Sequence, residues 1–135
     1  MYTVILKKKE ERNVLNGFPW VYANEVKEIA GKDSQGSVAV VRSSEGKFVG
    51  KGFINHHSKI LVRILTKKDE EIDEDFFRKR IALADDYRKE LGYSDNYRAI
   101  FGESDFLPGL IADKYGDYLS VQFLSLGMEV RKDMI

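Results

Sequence analysis

No cysteine occurs among the 135 residues. Disulfides, thiolate metal sites and a cysteine nucleophile are therefore excluded within this chain. A reducing, cytoplasmic setting is the expected location. No apolar run approaches the roughly 20 residues that a membrane helix needs, so no membrane contact is expected. The opening MYTVILKKKEE places its charges after a short apolar run, the reverse of a secretory signal. A glycine-rich turn leading from a strand into a helix, the usual cradle of a nucleotide-like cofactor, is also missing. Gly-x-Gly occurs only at Gly50 and Gly52, inside an alternating strand pattern. There it reads as a β-bulge or a close backbone approach. The adjacent His56 and His57 point in different directions and have no carboxylate or cysteine at a ligand spacing, so no metal is expected. Internal repeats and low-complexity sequence are absent too.

What is present divides in two. The formal net charge is zero, yet residues 1–67 carry 12 Lys+Arg against 6 Asp+Glu, and residues 68–135 carry 10 against 16. A basic half beside an acidic half points to a polyanionic partner for the first half alone. The blander reading is a pair of solvated faces. The length suits one ordinary domain or two small ones.

Periodicity predicts an α+β chain. Residues 2–6 read as a strand, and 7–15 as a short charged helix stopped by Asn16-Gly17. Pro19 fits the first turn of another short helix. Strands are predicted at 38–42, 47–54 and 59–65, joined by a turn at 43–46 and another at 55–58. Together these suggest a small, partly closed β-barrel over residues 1–68. A linker and connecting helix fill 69–92, the helix at 74–91 capped by Asp73. Residues 93–135 add a strand at 97–101, a hairpin around Gly116-Asp117 and the opening of a helix at 127. So little structure buries too little surface to stand alone. The tail therefore reads as the start of a second α/β domain, cut short.

Several residues carry candidate chemistry. Lys7, Lys8, Lys9 and Arg12 form the densest basic cluster. On a helix, Lys8 and Arg12 would share a face suited to phosphates. A solvated helix paired with Glu10 and Glu11 is the alternative. Phe18, Trp20 and Tyr22 are able to stack on unpaired bases, but an aromatic group beside Pro19 reads more readily as core. Asn55, His57 and Ser58 lie in an exposed polar turn suited to contact with an RNA backbone. Lys59 and Arg63 extend the basic surface. Glu103 and Asp105 pair two carboxylates in one loop. Satisfying turn amides explains them better than acid–base chemistry or Mg²⁺ binding.

Three segments resemble one family. Gly17-Phe18-Pro19-Trp20-Val21-Tyr22 is similar to a G-H-P-W-[IV]-[FY] pattern, with Phe18 where the family has histidine. Gly50-Lys51-Gly52-Phe53-Ile54-Asn55 with Ser58, Ile60, Val62 and Arg63 resembles a second pattern. Gly102-Glu103-Ser104-Asp105 with Leu107-Pro108-Gly109-Leu110, Asp113 and Tyr115-Gly116 resembles a third. The family is that of SAM-dependent enzymes resembling the large-subunit ribosomal RNA cytosine-5 methyltransferase. The resemblance implies a PUA-type barrel, a central α/β domain and a Rossmann-like methyltransferase domain. It also implies that Phe18 is exposed, because its counterpart is polar.

Cytosine C5 is a poor nucleophile and is normally activated by a cysteine thiolate added at C6. This chain has none, so catalytic residues and cofactor contacts are expected elsewhere in the parent, where S-adenosylmethionine would bind. The resulting expectation is an RNA-binding region that positions ribosomal RNA for its own methyltransferase domain. The rivals are a non-catalytic interaction module, with homo-oligomer formation through an exposed sheet edge, and the barrel of another RNA-modifying enzyme such as a pseudouridine synthase.

Overall fold

In the stretch YTVIL, Val4 and Leu6 are fully buried and alternate with half-buried neighbours, the mark of a strand with one face inward. This is β1 (Tyr2–Leu6). After it come α1 (Glu11–Leu15), β2 (Trp20–Tyr22), a 3₁₀ turn at Ala23–Glu25, β3 (Val26–Ala30), β4 (Val38–Arg42), β5 (Phe48–Ile54) and β6 (Ile60–Thr66). The computed structural model describes residues 1–135, and these elements make up the first of two units, residues 1–70.

The six strands form one sheet in the order β2-β6-β5-β4-β1-β3. Its outer strands, β2 and β3, are joined by only the three residues of the 3₁₀ turn. Such a link reaches about 10 Å at most, so the two edges must approach each other and the sheet curls into a half-barrel. Inside lie Val4, Leu6, Val21, Val41, Ile54 and Val62, with Val14 of α1 entering from the connection between β1 and β2. Each such side chain contributes roughly 1.5–3 kcal/mol on burial.

Three details differ from expectation. The helix predicted at 7–15 begins only at Glu11. Lys7 N–H donates to the Glu25 carbonyl at 2.9 Å, which keeps Lys7 extended, and Lys9 takes a left-handed φ of 73° in the intervening turn. Lys8 and Arg12 therefore share no helix face. Pro19 opens no helix either. Its carbonyl accepts from Ile64 N–H at 2.7 Å, which draws the following residues into the sheet as β2. At a strand's start the missing N–H does no harm. Finally, β3 is a strand that the pattern did not suggest. Only Val26 of its five residues is half-buried.

The Gly50-x-Gly52 reading as a bulge with close backbone contact is what the structure has. The β5–β6 register shifts between Lys51 and Gly52. A Cβ on Gly52 would stand 2.7 Å from the Arg63 carbonyl carbon.

The second unit, residues 71–135, holds α2 (Glu74–Glu90), β7 (Asn96–Phe101), a 3₁₀ turn at Gly102–Asp105, β8 (Leu110–Tyr115), β9 (Tyr118–Phe123) and α3 (Leu126–Glu129). Asp73 caps α2 by accepting from Phe76 N–H at 2.9 Å. The strands pair antiparallel in the order β7-β8-β9. Asp105 accepts from Phe101 N–H at 2.7 Å and from both terminal nitrogens of Arg88, with Nη2–Oδ2 at 2.7 Å. A carboxylate satisfying a turn amide is the role predicted for this loop. No helix is long and apolar enough to cross a membrane.

The Asp85 carboxyl is held below the usual carboxylate range, first by the Lys89 ammonium and then by the Tyr97 hydroxyl, which donates at 2.5 Å. A carboxyl lowered in the folded state adds stability at neutral pH, and that stability is lost as pH falls through the lowered value. Tyr97→Phe should therefore reduce the urea midpoint at neutral pH, and the difference from the parent should shrink in acid. A constant difference across pH would show that the hydroxyl acts independently of the Asp85 charge.

Candidate nucleic-acid interface

Successive side chains of a strand point to opposite faces. In β2 Val21 is fully buried in the core, so Trp20 and Tyr22 stand on the outer face, both half-buried. Phe18 precedes them and is 42% exposed. The three rings form one cluster. Phe18 lies 5.8 Å from Trp20 edge-on and 6.3 Å from Tyr22 in a stacked orientation, while Trp20 and Tyr22 are 6.5 Å apart. Contrary to expectation, Trp20 and Tyr22 are not core, while Phe18 is exposed as the resemblance implied. Only the residue between the two strand aromatics faces inward.

Strand register adds the cation. Trp20 pairs with Arg63 of β6, and Arg63 in turn pairs with Phe53 of β5. Directly paired residues share a face, and the Arg63 guanidinium carbon sits 5.5 Å from the Trp20 ring centre. This is cation–π geometry.

Lys59 and Lys7 meet the same 3₁₀ turn. Ala23 N–H donates to the Lys59 carbonyl at 2.9 Å, and Lys7 N–H to the Glu25 carbonyl at the same distance. The Lys7 ammonium donates to the Asn24 carbonyl at 2.7 Å, so part of its hydrogen-bonding capacity is used within the fold. Lys8, Arg12 and Lys59 are exposed and take part in none of the ion pairs. Arg12 adjoins Asn13, whose carbonyl accepts from Phe18 N–H at 2.9 Å, so α1 runs directly into the aromatic cluster.

The turn after β5 is organised by its own polar side chains. Asn55 Oδ1 accepts from His57 N–H at 3.0 Å and Ser58 Oγ from Ile60 N–H at 3.1 Å. His57 Nε2 lies 3.2 Å from Gln35 Nε2. His56 packs edge-on against Tyr2 at 4.8 Å. Asn55 and Ser58 thus build the turn that places Lys59 immediately before β6, where the strand predicted from residue 59 begins one residue later.

The structure therefore brings Phe18, Lys59, Arg63 and Lys7 around β2 and the turn that follows it. Lys8 and Arg12 stand at the α1 approach. Sequence reasoning missed Trp20 and Tyr22 as surface groups, although the alternation Trp-Val-Tyr carried the signal.

Residues 4–67 match the PUA-like domain family. The chain is 37% identical over 135 residues to ribosomal RNA large subunit methyltransferase I of Vibrio cholerae, covering 98% of this chain and 34% of that protein. Against the protein of the same name from Alteromonas mediterranea it is 39% identical over 136 residues, again spanning 34% of that protein. The chain thus spans about a third of the curated relatives it matches. Among solved structures, a candidate SAM-dependent methyltransferase from Streptococcus mutans superimposes with a TM-score of 0.83, at 18% identity, over 100% of this chain and 36% of that one. That likeness shows the fold. Residues 4–67 thus match the PUA-like domain family, in a chain similar throughout to about a third of ribosomal RNA large subunit methyltransferase I.

Proposed function

We propose that this chain is the RNA-holding region of a SAM-dependent ribosomal RNA cytosine-5 methyltransferase that works in the cytoplasm during rRNA processing. The observation that carries the reading is the outer face at β2. There an aromatic cluster and Arg63 lie together, with the Lys59 carbonyl bonded to the turn that follows β2, on a unit rich in cations. Aromatic faces and spaced cations are what an RNA strand requires of a protein surface. In this reading residues 1–68 bind RNA, 69–92 connect, and 93–135 begin a central domain completed by the rest of the parent.

The residues present do not fit S-adenosylmethionine. Gly50 and Gly52 sit in mid-strand, where β6 fills the space above Gly52. The methyl donor and the activating cysteine accordingly belong to the parent's remaining length. This chain's own residues bind and orient RNA.

Titration of labelled structured RNA against this chain at increasing salt tests the reading. The logarithm of the binding constant should fall linearly with the logarithm of salt concentration, with a slope of roughly −2 to −4, as for three to five phosphates. Absence of binding at low salt, or binding indifferent to salt, would sink the proposal.

A further inference from the structure

Phe18, Trp20 and Tyr22 contribute nothing to the interior cluster, yet they hold their rings within 6.5 Å of one another on the outside of the sheet. Large aromatics gathered on a surface mark a place of contact. The nature of that contact follows from the neighbours. The Arg63 guanidinium lies against Trp20, and Lys59 and Lys7 border the turn immediately after Tyr22. A hydrophobic partner would not select this cationic rim, whereas a nucleotide needs both parts. Its base takes a ring face and its phosphates take the cations.

From this geometry we infer that the cluster is a stacking site for an unpaired RNA base, with Phe18 as the receiving ring. The inference rests on the RNA-binding reading above and sharpens it. In a duplex both faces of each base are covered by neighbouring bases, so only an unpaired or extruded base can present one to Phe18. Phe18 stacks on Tyr22 at an interplanar angle of 29° and retains 42% of its surface exposed. A base laid on it would extend an existing stack. The target is therefore a loop, bulge or single-stranded segment, and duplex RNA would be held by its phosphates alone.

Trp20 is the chain's sole tryptophan and lies beside Phe18, so its emission reports on the site without labelling. The experiment compares a short single-stranded RNA with an abasic strand of equal length, following both Trp20 emission and strand anisotropy. The RNA should quench Trp20 and bind about tenfold more tightly than the abasic strand. Phe18→Ala should remove that preference, while Phe18→Tyr keeps it. If both strands bind equally and Trp20 emission is unmoved, stacking is overturned while phosphate binding stands. If neither strand binds at low salt, the RNA-binding reading falls too. Should Phe18→Ala fail to fold by circular dichroism, the two-strand comparison on the parent chain decides by itself.

Discussion

Replacing Gly52 with alanine will remove a large share of the stability of the first unit. The added Cβ would press on the Arg63 carbonyl, 2.7 Å from its carbon and 2.9 Å from Ile64 Cα. These are backbone atoms of β6, held in the ladder on both sides by β2 and β5. No side chain is there to swing away, so relief requires parting two central strands. Overpacking of this kind costs about 3 kcal/mol or more. A unit of this size has roughly 4–10 kcal/mol in total. Gly46→Ala provides the contrast. Gly46 has φ +84° with nothing within 4 Å of where the new methyl group would stand, so only backbone strain opposes the change, about 1 kcal/mol. Urea titrations should show a much lower midpoint for Gly52→Ala than for Gly46→Ala. Equal midpoints would mean that β5 and β6 are not packed as described.

Asp105→Ala should be comparably damaging to the second unit. The Arg88 and Asp105 side chains are only 12% and 7% exposed. Asp105 also receives Phe101 N–H, so its loss strands a guanidinium and a backbone donor together. Removing one partner of a buried ion pair typically costs about 3–5 kcal/mol. Replacing both residues, as Arg88→Met with Asp105→Leu, should recover part of that loss, because no buried charge is then left alone. Hydrogen exchange locates the effect. Amides of α2, β7 and β8 should lose protection in Asp105→Ala, while those of β4–β6 keep theirs. Uniform loss across both units, or none in α2, would contradict this assignment.

Much of this architecture is visible in the residues. Short apolar, β-branched runs between turn residues mark β4, β5 and β6, and Asp73 followed by Glu74 and Asp75 announces α2. Other parts rest on contacts between distant residues. β2 is three residues long behind a proline, and it is a strand because Ile64 N–H reaches the Pro19 carbonyl. β3 is largely exposed and owes its conformation to β1 beside it. Arg88 and Asp105 lie 17 positions apart, beyond the reach of any local pattern. The site is legible in the same uneven way. Arg63 is visible as a cation on a strand and Lys59 as one at the turn before it. The outward position of Trp20 and Tyr22 depends on Val21 facing Val62 across the sheet.

The strand order also bears on how the chain comes into being. β1 is synthesised before β3 and β4, the two strands it lies between, and the sheet is complete only once β6 has been made to join β2 to β5. At translation speeds of about 5–20 residues per second, Val4 and Leu6 stay uncovered for several seconds while their neighbours are still being polymerised. Strand β1 thus waits for partners along both of its edges, although Val4 and Leu6 are fully buried in the finished fold.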